Sequence, residues 1–257
     1  MDSGKISGNY PTTEEIAIQS LRGLIPDIIS NNERFNSNFY LLQWLKAQDL
    51  NPEKTETMIR NSVQWRQDNQ IESGWKDETF LEFSEKYGFV CGVDKDRCPV
   101  VFFQLGGKDF RKGISTYGKK GWVLYWAKHY AQVEDLIFTH NKDKNDDTHR
   151  INYDSSKEIT LIVDSKGFSA FQLTSLDVLR LGVVNATNIT HYFPALVSLT
   201  IFVNMNTVFK GAFKVLKPIL EVPYLTMEFY GSDEVLNRRI FKNLQIVRVT
   251  GAAKGDF

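Results

Sequence analysis

Apolar positions recur with a helical period over the first third of the chain, and the period changes after Gly88. Thr12 and Glu15 have capping-box spacing ahead of Ile16, Ile18, Leu21, Leu24, Ile25 and Ile28, which predicts a first helix. Asn38 is placed to cap a second, carrying Leu41, Leu42, Trp44 and Leu45. Asn51-Pro52 opens a third, a capping side chain followed by proline at the first helical position, with Thr55, Met58, Ile59 and Trp65 along it. Phe80 to Tyr87 predicts one more short helix, closed by Gly88.

Beyond Gly88, Phe89–Gly92 and Pro99–Leu105 flank the turn formers Val93-Asp94-Lys95-Asp96-Arg97, a hairpin signal. Trp122, Tyr125, Trp126, His129, Val133 and Leu136 then follow a long helical spacing. His140–Ser156 is charged and Asn-rich and reads as an exposed, mobile loop. Strand and helix patterns alternate from there: strand Ile159–Val163, helix Leu173–Asn188, strand Leu199–Val203, a helix from Asn206 stopped by Pro218, strand Leu225–Tyr230, helix Ser232–Leu244. Such alternation predicts an α/β fold with a buried, largely parallel sheet and helical crossovers.

The helix after Asn206 is the most informative element. At about 100° per residue, Phe209, Ala212, Phe213, Leu216 and Leu220 share one broad face, and Val208 and Val215 extend the apolar arc. Lys210, Lys214 and Lys217 form a basic stripe beside it. Two readings fit: an ordinary crossover helix with a solvated edge, or a helix that touches a greasy cavity and an anionic membrane in turn.

The chain has 257 residues, 42% hydrophobic and 24% charged, which suits a folded protein with a sizeable core. Aromatics reach 13%, including 18 Phe, enough to line apolar cavities. Net charge is zero, so a domain-wide basic field for nucleic acid is absent. Acidic residues lead before Gly88 and basic ones from Lys210 onward. The stretch MDSGKISGNYPTTEE lacks an apolar core, which argues against a secretory signal and for a cytoplasmic protein. Cys91 and Cys98 could face each other across the hairpin, though a reduced pair fits a cytosolic chain better.

Catalytic signatures are missing: no nucleophile elbow, zinc-binding H-E-x-x-H, Walker loop or dinucleotide fingerprint occurs. Gly106-Gly107-Lys108-Asp109 reads as a turn rather than a phosphate loop. Asp164, at the carboxyl end of a strand, is either a catalytic or magnesium-binding group or a cap for the Lys166-Gly167 turn. His129, His140, His149 and His191 form no ligand pair, and Asp143, Asp146 and Asp147 lack a calcium-loop pattern. No enzyme and no metal site is expected.

Five pieces in order resemble the CRAL-TRIO lipid-binding family, from about Phe39 to Leu244. They are FYLLQWLKAQDLNPEKTETMIRNSVQWRQDN, VDKDRCPVVFFQLG, ITLIVDSKGFS, and the Tyr-Pro block and amphipathic helix in HYFPALVSLTIFVNMNTVFKGAFKVLKPIL. The resemblance implies a helical module at 1–76 and a lipid-binding domain at 77–257, whose mixed sheet floors an apolar cavity. It implies a non-enzymatic monomer that binds and transfers one hydrophobic molecule or phospholipid, needs no cofactor, and meets membranes transiently. Residues 206–217 would be the gate, opening at a membrane. Lipid-binding residues would be Phe103, Tyr125, His129, Ser169, Ile201, Val203, Phe209, Phe213 and Leu216, with Lys210, Lys214 and Lys217 facing the membrane. The alternative is a membrane-recruited signalling adaptor that uses the fold as a location sensor.

Three departures bear on the ligand. Phosphatidylinositol-transfer members of the family carry an acid and then arginine after Tyr-Pro, where this chain has Ala195 and Leu196. They also carry a strand lysine where this chain has Thr226. Ser169 does match a hydroxyl used near a phospholipid headgroup. The pattern is similar to the animal supernatant-protein-factor and tocopherol-associated group, which implies a tocopherol-, retinoid-, sterol- or squalene-like ligand or a neutral phospholipid.

Overall fold

The structure, a computed structural model, describes residues 12–94, 98–145, 159–194, 196–222 and 224–231. The Thr12–Glu15 capping box is present, with Glu15 N donating to Thr12 Oγ1 at 3.2 Å and Thr12 N to Glu15 Oε2 at 2.7 Å. It opens α1 (Thr13–Leu24), but the pattern does not run on to Ile28. Pro26 starts a separate helix, α2 (Pro26–Asn31), because proline fits a first turn and breaks an interior one. A short 3-10 turn (Glu33–Asn36) leads to α3 (Asn38–Lys46). The cap there is Ser37, not Asn38. Asn38 Oδ1 instead accepts from Arg22 Nη2 at 2.7 Å, tying α3 to α1.

Asn51 caps α4 (Pro52–Asp68) as its Asn-Pro start requires. Ile18, Leu21, Ile25, Leu41, Trp44 and Ile59 form one buried cluster among these helices. Its outer edge meets the rest of the fold at the Trp-Arg pair of α4. Trp65 stacks on Tyr192 with ring centroids 4.2 Å apart, and Arg66 lies over Phe193 while pairing with the buried Glu134.

Helix α5 (Glu78–Tyr87) ends at Gly88, though not through a left-handed cap, since Gly88 φ is −69°. Glycine is needed there for close approach: a Cβ would stand 2.4 Å from Ser84 O and 2.9 Å from His129 Cε1. Strands β1 (Val90–Val93) and β2 (Pro99–Gln104) pair antiparallel, Val93 opposite Pro99. Cys91 faces Val101 rather than Cys98, and neither cysteine is in a disulfide.

Helix α6 (Phe110–Asn145) is broken once, at Gly118, where φ is 71°. It continues through His140, so the expected loop is helical as far as Asn145: Asn141 is buried and Lys142 pairs with Glu33 at 2.7 Å. The remainder of that loop, with Asp146, Asp147 and His149, lies outside the described residues, as do Lys95-Asp96-Arg97 and the helix expected over Ser232–Leu244.

The rest alternates as expected: β3 (Ile159–Asp164), a 3-10 turn (Ala170–Thr174), α7 (Leu176–Tyr192), β4 (Val197–Val203), α8 (Thr207–Leu220) and β5 (Thr226–Phe229). The sheet order is β1-β2-β3-β4-β5, with every pair after the hairpin parallel. Strand order that advances one way through right-handed crossovers sends α6, α7 and α8 to the same face. That face carries Val101, Phe103, Leu161, Val163 and Phe202, whereas Val100, Ile162, Ile201 and Val203 form a separate cluster on the other.

Candidate lipid-binding cavity

Between the sheet and the layer of α6, α7 and α8 the side chains do not meet. They leave a cavity of about 280 Å³. Val101 and Phe103 of β2, Leu105 just after it, and Ile159 and Leu161 of β3 make its floor. Trp122, Trp126, Tyr130 and Val133, spaced i, i+4, i+8, i+11 on α6, make one wall, and Val178, Gly182, Asn185 and Ile189 of α7 another. Phe209, Ala212, Val215 and Leu216 of α8 close the third side. Val215 is 54% exposed as well as lining the cavity, so the space reaches the surface along α8.

Of the lipid-binding residues read from the sequence, Phe103, Phe209 and Leu216 stand in this lining. The other six lie outside it. Ile201 and Val203 point to the opposite sheet face, beside Val100 and Ile162. Tyr125 and His129 are turned toward α5: Tyr125 meets Phe83 at 5.2 Å and His129 meets Phe80 at 5.1 Å. Burial pushes the His129 imidazole down to about 4, so it is neutral at physiological pH. Ser169 caps the 3-10 turn, its Oγ accepting from Phe171 N at 3.2 Å. Phe213 packs on Phe202 at 4.9 Å and Phe229 at 5.4 Å, beside the cavity, and clamps α8 to the sheet.

The clamp has a defined start. Asn206 caps α8, its Oδ1 accepting from Phe209 N at 2.8 Å, and its Nδ2 donates to Phe168 O at 3.3 Å. Pro218 does not stop the helix. It lies in the last turn, and α8 closes two residues later with Glu221 N donating to Lys217 O at 2.9 Å. Lys210, Lys214 and Lys217 are exposed, Lys217 pairing with Glu221 at 3.1 Å. Two exposed apolar residues near this side escaped the sequence reading: Phe171, 61% exposed, and Leu176, 66% exposed. Phe171 lies on the 3-10 turn and Leu176 opens α7.

Asp164 is occupied locally. Its Oδ1 accepts from Lys166 N at 2.9 Å and from Asn204 Nδ2 at 2.7 Å. Gly106 crosses this turn so closely that a Cβ would stand 1.5 Å from Lys166 O, and Gly107 holds a left-handed φ of 78°, which together account for the Gly-Gly pair. Leu196, where phosphatidylinositol-transfer relatives place arginine, is 5% exposed and lines the cavity. Ala195 lies outside the described residues, and Thr226 is exposed on β5.

The CRAL/TRIO domain matches residues 83–226, more than half of the chain and the whole of the cavity. The chain belongs to the CRAL/TRIO family. Membership brings the coarse role of binding a lipid-like molecule, and the apolar lining suits it. Among similar proteins, Patellin-2 of Arabidopsis thaliana is 31% identical over 132 residues, covering 51% of this chain and 18% of its own. Patellin-1 of the same plant is 32% identical over 124 residues, covering 44% and 21%. The chain thus spans about a fifth of these relatives' length. The crystal structure of Sfh5 superposes with a TM-score of 0.64 at 16% identity, covering 85% of this chain and 80% of that one, which shows the shared fold. Among the described residues no helix is long and apolar enough to cross a membrane.

Proposed function

We propose that the chain is a non-enzymatic carrier that holds one hydrophobic molecule between its sheet and α8, and exchanges it when α8 moves aside at a membrane. The observation that carries this reading is the double role of α8: Phe209, Ala212 and Leu216 wall the cavity while Lys210, Lys214 and Lys217 face solvent. A ligand burying roughly 400 Å² of apolar surface gains about 10 kcal/mol, enough to hold it without ionic contacts.

Lifting Phe209 and Phe213 from the sheet costs roughly 3–6 kcal/mol, so α8 stays shut in water. Three lysines near anionic headgroups return about 3 kcal/mol. Insertion of the exposed Val215, Phe171 and Leu176 supplies the remainder, which makes opening conditional on a membrane. The same reading makes the protein a cytoplasmic monomer that touches membranes transiently and needs no cofactor. The local hydrogen bonds at Asp164 support an absence of catalysis. The apolar Leu196 favours a neutral ligand of the kind suggested by the likeness to the animal tocopherol-associated group.

Transfer of a fluorescent lipid between two vesicle populations tests the proposal. A carrier moves the label, and moves it more slowly when Lys210, Lys214 and Lys217 are all changed to Glu. An adaptor binds vesicles and moves nothing.

A further inference from the structure

Phe171, Leu176 and Val184 are all exposed along the 3-10 turn and α7. Leu176 and Val184 stand at i and i+8 on one broad outer face of α7, and Arg180 lies between them at i+4. Arg111 reaches the same region from the start of α6. Its guanidinium lies over the Phe171 ring at 4.2 Å, and its Nη1 donates to Thr174 Oγ1 at 2.9 Å. Neither arginine has a carboxylate partner among the described residues. The one acid between Ala170 and Val184 is Asp177, and Lys119 already pairs with it at 2.7 Å.

Apolar side chains held in water gain by transfer to an apolar phase. Unpaired guanidinium forks gain beside phosphate. The headgroup layer of an anionic bilayer offers both within a side chain's reach, phosphates above and acyl chains beneath. We infer that the 3-10 turn and the outer face of α7 form a docking surface for an anionic membrane. Arg111 and Arg180 meet lipid phosphates there, and Phe171, Leu176 and Val184 enter the acyl boundary. The inference rests on the membrane step of the carrier reading and moves the anchor off the gate. Helix α7 is held at its far end by the stack of Tyr192 on Trp65. Helix α8 packs alongside it, with Leu216 Cδ2 3.9 Å from where a Cβ on Gly182 would stand. A protein attached through α7 can swing α8 against the bilayer without letting go, which leaves the α8 lysines to drive opening rather than attachment.

Co-sedimentation of the full chain with vesicles tests this, using phosphatidylcholine alone and phosphatidylcholine mixed with phosphatidylserine. Wild type should bind the mixed vesicles more tightly, and Arg111→Ala/Arg180→Ala should weaken that binding at least about tenfold. Leu176→Ser/Val184→Ser should weaken binding to both kinds of vesicle. Hydrogen exchange of the wild-type protein needs no variant, and it should slow over Ala170–Val184 when mixed vesicles are added. Slowing confined to α8, or an alanine pair that binds like wild type, overturns the docking surface while lipid transfer continues. Binding to polyglutamate but not to vesicles makes this face a contact for an acidic protein and overturns it equally. Absence of both vesicle binding and lipid transfer overturns the carrier reading as well.

Discussion

Asn204 Nδ2 donates to Asp164 Oδ1 at 2.7 Å, joining the carboxyl ends of β3 and β4. The same oxygen receives Lys166 N at 2.9 Å, and Asn204 itself holds a left-handed φ of 56°. The carboxylate thus fixes the two turns that follow these strands, and the second of them delivers Asn206 to cap α8. Asp164→Ala should lower stability by about 1–3 kcal/mol in chemical denaturation, because two donors lose their acceptor. Lipid uptake by the folded fraction should stay unchanged. Loss of uptake at full folding would give Asp164 a direct part in the site.

Phe213 is the centre of the clamp on α8, in contact with Phe202, Phe209 and Phe229 but not in the cavity lining. Phe213→Ala should cost about 3–5 kcal/mol of packing, which falls on the closed position of α8. Spontaneous ligand exchange should accelerate at least about tenfold, while the equilibrium preference among ligands stays the same. Stopped-flow measurement of lipid release checks this. An unchanged exchange rate would show that α8 does not limit release.

His129 should make the protein acid-sensitive. Burial lowers its folded pKa to about 4, below the ordinary 6.5, and its Nε2 has no hydrogen-bond partner. Between those two values the unfolded chain binds more protons than the folded one, so stability falls as pH drops from about 6.5 toward 4. The full loss is on the order of 3 kcal/mol. Denaturation midpoints across this range should steepen less in His129→Leu, which should be near neutral in stability at pH 7.

Much of this fold is legible from periodicity. The strands, the hairpin, the capping box at Thr12 and the Asn51 cap all follow from local chemistry. The site was harder to read because its residues are chosen by long-range packing. In β4 the apolar set Val197, Leu199, Ile201 and Val203 alternates with Ser198, Thr200 and Phe202, so the local pattern marks Ile201 and Val203 as the apolar face and gives no sign that Phe202 is the one facing α8. A register shift at Ile159/Thr160 complicates that parity further, placing Val197 in the lining. Tyr125 and His129 share α6 with Trp122 and Trp126, and only the docking of α5 separates the two sets. On α7, Val178, Gly182, Asn185 and Ile189 do follow helical spacing, so that wall was open to a reading from the pattern.

The most direct test of lipid carriage is native mass spectrometry of protein purified gently from cells. Carriage predicts a mass above that of the 257-residue polypeptide, with the excess released by organic extraction as a single hydrophobic species. A bare polypeptide mass, unchanged after incubation with lipid vesicles, would contradict it.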